Sequence, residues 1–157
     1  MSTAAPQLIL ASSSHYRKKQ LENLGIPFIC EPPLIDETPN PGESAKAVSL
    51  RLATEKAQII SKENKGAVVI GSDQVALCEN KIIGKPSSKK KARQQLSYLQ
   101  GKTAIFFTSV AICHGSAEPK AKCSVSKVLF KTLTKSQISN YVDFDKPINC
   151  TGSFKSE

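Results

Sequence analysis

The sequence predicts a three-layer α/β/α fold with a central mixed, twisted sheet. Through the first part of the chain, short apolar runs alternate with helix-like segments, as expected for parallel strands joined by helical crossovers. Two long strand-like runs then follow one another near the C-terminal end. They predict an antiparallel pair, which makes the sheet mixed.

The first elements are two short strands with a helix between them. Residues 7–11 (QLILA) and 27–30 (PFIC) are the apolar strand-like runs. The serines at 12–14 are favourable N-caps for a helix that extends to about residue 24, and Gly25 can adopt the left-handed conformation that ends it.

A long helix over about 43–63 follows a proline-rich loop. Its apolar residues recur at helical spacing and predict one buried stripe, with Lys56 close to the edge of that stripe. The residues of the stripe are Ala45, Val48, Leu52 and Ile59.

The remaining elements are read from β-branched runs and caps. Residues 67–72 are the most strand-like run of the chain, and 74–83 predict a β-hairpin that turns at Glu79 and Asn80. Ser87 is the expected cap of a helix that ends at Gly101. Strands over 103–114 and 120–131 follow, and Thr134 with Gln137 predicts a capping box that opens a last helix.

The composition predicts one globular domain over residues 1–157. The chain has a mass of 17.0 kDa and 39% hydrophobic residues, which is enough for a core of its own. It lacks an apolar run of the roughly 20 residues that a membrane span needs, and its first residues do not resemble a signal peptide. We therefore expect a cytoplasmic protein without a membrane partner.

Five scattered cysteines and two histidines argue against a disulfide framework and a Cys/His zinc site.

The net charge predicts an anionic partner. Lys and Arg number 22 against 13 Asp and Glu, a net charge of +9, so phosphates, nucleic acids and acidic lipids are all candidates. Aromatic residues make up only 6% of the chain, without any Trp. The Phe residues do not alternate with the lysines as in a base-stacking surface, so nucleic acid is not the expected main partner.

Asp73 is the first candidate for chemistry. It directly follows the strand-like run 67–72, and functional groups in open α/β sheets gather beyond the carboxyl ends of strands. A turn cap or a partner for a lysine is an equally good interpretation of its position alone.

Three further features resemble a site for phosphate chemistry. The serines at 12–14 and Arg17 lie at a helix start, where backbone N–H groups and a guanidinium can bind an anion. Glu37 lies in a proline-bounded loop and can hold a hard cation such as Mg²⁺. Lys85 is held between a glycine and a proline. Acids and cations together at strand ends match what phosphoanhydride cleavage requires.

Six motifs carry a resemblance to a known family. In chain order they are LILASSSHYRKKQLENLGIPF, DETP, RLATEKA, VVIGSDQV, GKP and CTGSFKSE. Together they closely resemble the Maf family of nucleoside triphosphate pyrophosphatases, which has a Maf/ITPase-like fold, and within it the branch that acts on 7-methyl-GTP.

The resemblance implies roles for individual residues. Asp73 would activate the water that cleaves between the α- and β-phosphates, with Lys56 and Lys85 as further catalytic residues. Ser12 and Arg17 would bind the phosphates of a small nucleotide substrate. Glu37 and Asp73 would hold a divalent cation, Mg²⁺ or Mn²⁺.

Recognition of the base is expected to depend on Tyr16, Gln74 and Glu157. A cationic N7-methylated guanine suits an aromatic face and a carboxylate. Relatives that act on dTTP and UTP tend to carry Arg, Thr and Gln at these three places, and the 7-methyl-GTP branch usually carries Pro-Trp where this chain has His15-Tyr16.

The resemblance also bears on chain length, assembly and alternatives. Family members continue past GSFKSE, so we expect this chain to lack their usual C-terminal segment, and relatives suggest a homodimer. One alternative function is a dTTP/UTP pyrophosphatase of the same family. Another is a non-catalytic regulator of cell division that binds nucleotides or nucleic acid.

Overall fold

The structure is a computed structural model that describes residues 5–155. Within these residues the chain forms a three-layer α/β fold with one six-stranded sheet, as predicted. The strands are β1 (Leu8–Ala11), β2 (Ile29–Cys30), β3 (Val68–Cys78), β4 (Lys81–Ile83), β5 (Thr103–His114) and β6 (Lys120–Leu129). The helices are α1 (His15–Glu22), α2 (Ala45–Glu63), α3 (Lys89–Leu99) and α4 (Lys135–Asp145).

The sheet is mixed, with strand order β2-β1-β3-β5-β6. β1 pairs in parallel with both β2 and β3, and its pairing with β3 ends where Ala11 lies opposite Gly71. β4 pairs with β3 in the antiparallel direction. The parallel part follows from the helical crossovers α1 and α2, since parallel neighbours require such a connection.

The described residues group into two compact units, and the first contains the residues up to Asp73 together with Thr108–Ser124. Its core is made largely of small and β-branched residues from α2 and the strands: Ile9, Ala11, Ala53, Ala57, Ile60, Ala67, Val69, Ala111 and Cys113.

Close approach between α2 and β3 explains these small residues. A Cβ added at Gly71 would lie 2.7 Å from the Ala57 backbone nitrogen and in collision with the Ala53 carbonyl oxygen. The helix therefore rests directly on the strand backbone, which fixes the height of α2 side chains above β3.

The second unit contains Gln74–Phe107 and the described residues from Val125 onward. Glu79 and Asn80 form the β3–β4 turn with φ of 47° and 64°, the positive values that a two-residue hairpin turn requires. Thr134 and Gln137 form the predicted capping box of α4. The core of this unit consists of Ala76, Cys78, Ile83, Ala92, Leu96, Leu99, Ala104, Phe106, Phe130, Ile138 and Val142.

Several sequence expectations were wrong in detail. β3 does not stop at Ser72 but continues to Cys78, because its second half pairs with β4. Ser88, not Ser87, caps α3. Ile60 is more deeply buried than Ile59, and Lys56 lies within the buried face of α2 and not at its edge.

No helix among residues 5–155 is long and apolar enough to cross a membrane. The five cysteines, all of which fall in the described part, are free thiols. The single-domain organisation, the homodimer and the cytoplasmic location stay predictions.

Candidate active site

The candidate site lies where β1 and β3 part in the first unit. Ala11 and Gly71 are the last paired residues, after which β1 leads into the turn before α1 while β3 continues. Ser12 and Asp73 follow these paired residues, and both are buried, with 5% and 6% of their surface exposed. Asp73 therefore lies inside a strand, beyond the end of the parallel pairing, and not beyond the strand itself as the sequence suggested.

A lysine ammonium joins the two carboxylates of the site. Lys56 Nζ lies 2.8 Å from Asp73 Oδ1 and 2.8 Å from Glu37 Oε1. The Lys56 and Asp73 side chains are almost fully buried, whereas that of Glu37 is 60% exposed. The site thus has a buried floor and a solvent-accessible carboxylate above it.

Burial of the Lys56–Asp73 ion pair costs desolvation free energy, so stability alone does not account for it. A buried ion pair gains little net stability over apolar residues of the same volume, because both charges lose their hydration. Titratable groups held in this way are candidates for function.

Arg17 adds a second cation to the same group. It lies in the first turn of α1, where its backbone N–H donates to the Oγ of the N-cap Ser14 at 3.4 Å. Burial lowers the pKa of Arg17 below its usual value, although the charges of Asp73 and Glu37 act in the opposite direction. The guanidinium stays protonated, since arginine is not deprotonated in proteins.

Ser12 shapes the turn between β1 and α1. Its Oγ accepts a hydrogen bond from the Ser14 backbone N–H at 3.1 Å, and its own N–H donates to the Leu10 carbonyl. The turn directs the N-terminus of α1, with its positive end of the helix dipole, to the end of the strands where Asp73 lies.

The loop 31–44 that carries Glu37 is attached to α2 through Arg51. Arg51 donates from Nε and Nη2 to the two Glu43 carboxylate oxygens, both at 2.8 Å, and from Nη2 to the Thr38 carbonyl at 3.2 Å. Glu55 lies one turn further along the helix and also accepts from Arg51. Sequence reasoning assigned no role to Arg51, although it begins the RLATEKA motif five residues before Lys56.

Glu37 and Asp73 are the carboxylates that could supply oxygen ligands to a divalent cation of the kind expected. Both contact the Lys56 ammonium. Within residues 5–155 no group of three or more His, Cys, Asp or Glu could hold a metal ion. Mg²⁺ does not need such a group, because it commonly uses one or two carboxylates and completes its shell with water and substrate phosphates.

The other expected site residues are placed as follows. Tyr16 is half-buried in the first turn of α1, with its ring edge-to-face against His15 at 6.2 Å between centroids. Gln74 and Lys85 belong to the second unit and have exposed side chains. Glu157 lies outside the described residues. The structure thus brings Glu37 and Asp73 onto the Lys56 ammonium, and Arg17 lies within the field of the same two carboxylates. Ser12 follows the last paired residue of β1, at the same end of the strands.

Comparison with known proteins gives relatives across most of the chain. It is 47% identical over 152 residues to a 7-methyl-GTP pyrophosphatase of Pseudoalteromonas atlantica, covering 96% of this chain and 78% of that protein. It is 44% identical over 158 residues to a 7-methyl-GTP pyrophosphatase of Nitrosococcus oceani, covering 99% and 79%.

A solved structure supports the fold. The crystal structure of a nucleoside-triphosphatase, a dITP/XTP pyrophosphatase from Mycobacterium abscessus, matches 78% of this chain and 73% of its own with a TM-score of 0.50 and 17% identity.

The family model for Maf-like proteins matches residues 7–157. The chain belongs to the Maf family.

Proposed function

We propose that this chain hydrolyses 7-methyl-GTP to 7-methyl-GMP and pyrophosphate. The observation that carries the proposal is the buried Lys56 ammonium held 2.8 Å from both Asp73 and Glu37, with Arg17 in the field of the same two carboxylates. The substrate is taken from the relatives of 47% and 44% identity, which are 7-methyl-GTP pyrophosphatases.

The reaction needs a base and several cations. Asp73 takes a proton from a water molecule, whose oxygen attacks the α-phosphorus. The bond from that phosphorus to the bridging oxygen of the β-phosphate breaks, and pyrophosphate leaves with the bonding electrons. Lys56, Arg17 and Lys85 neutralise the phosphate oxygens as charge develops, and electrostatic stabilisation of this kind is the main contribution in phosphoryl transfer.

Glu37 and Asp73 are the residues that would hold Mg²⁺ or Mn²⁺. A bound divalent ion supplies charge neutralisation at the phosphates and lowers the pKa of coordinated water. The N–H groups at the start of α1, with Ser12 beside them, bind phosphate oxygens.

Base recognition rests on three residues in this proposal. Tyr16 stacks on the cationic methylated ring, since a cation is attracted to an aromatic face. Glu157 accepts hydrogen bonds from the guanine N1–H and amino group, and Gln74 completes the contact to the base.

The test is pyrophosphate release from 7-methyl-GTP, GTP, dTTP and UTP, with and without Mg²⁺, by the wild type and by Asp73→Asn. We expect metal-dependent turnover that favours 7-methyl-GTP. The variant should lose about 10²- to 10⁴-fold in kcat, the usual contribution of a general base, while still binding the nucleotide.

Other outcomes would change the proposal in defined ways. Preference for dTTP or UTP would keep the mechanism and overturn the substrate. Comparable turnover by Asp73→Asn would show that Asp73 is not the base.

A further inference from the structure

We propose that Arg51 is a positioning residue, which fixes the loop 31–44 so that Glu37 stays against Lys56. The inference rests on the proposed function of the site. Arg51 is not itself one of the groups expected to touch the substrate.

The other hydrogen bonds of the loop are local or lie at its start. Thr38 N–H donates to Asp36 Oδ1 within the loop, and Glu31 N–H donates to the Leu10 carbonyl. Four of its residues are proline (Pro32, Pro33, Pro39 and Pro41) and no strand or helix forms within it. Proline lacks the N–H that pairs a segment with its neighbours, so the loop has to be fixed by side chains. The position of Glu37 depends on this loop, because its side chain is mostly exposed and is therefore not held in place by packing.

Arg51 fixes the loop at the residue next to Glu37. Its Nη2 donates to the Thr38 carbonyl at 3.2 Å, while its fork binds both Glu43 oxygens. Glu43 in turn accepts from the Asn40 backbone N–H at 3.0 Å. One guanidinium thus attaches α2 to the loop directly at Thr38 and, through Glu43, at Asn40.

Two successive residues of the loop, Glu37 and Thr38, are therefore held by two side chains of α2. Arg51 holds the main chain at Thr38, and Lys56 contacts the Glu37 carboxylate at 2.8 Å. With only the Lys56 contact, Glu37 could pivot about its backbone and leave the site. The Glu43 carboxyl group remains ionised over the working range, because its hydrogen bonds from Arg51 and Asn40 lower its pKa to about 2.

Arginine is required here by geometry. Its planar fork binds a carboxylate through two N–H groups and still has a donor for a carbonyl. Lysine at this position can keep an ion pair with Glu43 but offers no fixed fork to Thr38 as well.

The decisive test is a double-mutant cycle in kcat/KM for 7-methyl-GTP, using Arg51→Met, Glu37→Gln and the double variant. Arg51→Met should lower kcat/KM by about 10- to 100-fold, as is typical when the support of a site ligand is removed. In the Glu37→Gln background the same change should cost little more, because residues that act as one unit are not additive. Full multiplication of the two losses would overturn the proposal, since it is the result expected of a general stabilising role.

Two further variants separate positioning from folding. Arg51→Lys preserves the charge, so it should remain folded like the wild type and still lose activity. Arg93→Met is the matched control, because Arg93 also binds both oxygens of a carboxylate, that of Asp143, but lies in the second unit; its activity should not change. Wild-type activity in Arg51→Lys would contradict the proposal.

Amide hydrogen exchange gives a result that does not depend on turnover. Arg51→Met should speed exchange at the Thr38 and Asn40 amides, which donate to Asp36 and Glu43, and leave α2 protected. Unchanged exchange in the loop, or loss of protection throughout α2, would overturn the positioning role. If the wild type fails to cleave 7-methyl-GTP, the proposed function falls, and this measurement still decides the role of Arg51.

Discussion

Lys56 is the residue that organises the site. It lies on the buried face of α2, where the pattern of the helix calls for an apolar side chain, and its ammonium contacts two carboxylates. Removing Lys56 would leave the Asp73 carboxylate buried without this partner. The loss of stability would be much larger than the net stability that the ion pair contributes. The same ammonium is therefore the counter-ion of both carboxylates of the site, and the proposed function gives it a second role at the phosphates.

Tyr16 allows a test of base recognition by a single side chain. Tyr16→Ala should raise the KM for 7-methyl-GTP about 2- to 30-fold more than the KM for UTP, because only the methylated purine carries a positive ring for the cation–π contact. The measurement is the KM for each nucleotide. Tyr16→Phe is the control, since it preserves the ring and should preserve the preference. Equal losses for both nucleotides in Tyr16→Ala would remove Tyr16 from base recognition.

β3 is the element that most limits prediction from sequence. Its apolar run to Ser72 was correctly identified, but the continuation through Asp73 was not, because it depends on pairing with β4 and not on local composition. Hairpin turn, capping box and strand β5 were predicted closely, since each is encoded by residues near in sequence.

The site itself was predictable as residue types more than as geometry. Spacing on α2 placed Lys56 only near the edge of the buried stripe, and its role came from the family resemblance. The loop sequence indicated that Glu37 could hold a cation. That Lys56 contacts both Asp73 and Glu37 depends on the packing of α2 against β3 and against the loop, which no local pattern encodes. Arg51 was missed for the same reason, because its partners Thr38 and Glu43 lie 13 and 8 residues away.

Gly71 tests the packing of α2 on β3. Gly71→Ala should lower the free energy of unfolding by about 1–3 kcal/mol, the usual cost of overpacking, because its Cβ would meet the α2 backbone at Ala53 and Ala57. Urea unfolding is the measurement. Gly84→Ala is the matched control, as nothing lies within 4 Å of an added Cβ there. Equal stability of the two variants would show that the close contact between helix and strand is wrong.

The distribution of charge over the described residues bears on the alternative of a nucleic-acid-binding regulator. Part of the positive charge already interacts with acids: Arg17 is in the field of Asp73 and Glu37, and Lys89 pairs with Asp143 at 2.8 Å. The two densest basic runs are residues 17–19 and 89–91. Each therefore has at least one member that interacts with a carboxylate, which leaves less of the charge of each run for a phosphate backbone.

Salt dependence separates the two functions for the whole protein. A protein whose binding depends on 6–10 backbone phosphates loses about 10³- to 10⁵-fold in affinity between 50 and 200 mM salt. Hydrolysis of a small nucleotide in a partly buried site should change by less than about tenfold over that range, because buried charges are screened much less, and should instead depend on the divalent ion. The measurement is kcat/KM for 7-methyl-GTP at constant Mg²⁺ across that salt range, beside the affinity for a DNA duplex. Tight, steeply salt-dependent duplex binding combined with absent turnover would favour the regulator. The basic side chains of the surface, and not the Lys56 site, would then account for binding of the duplex.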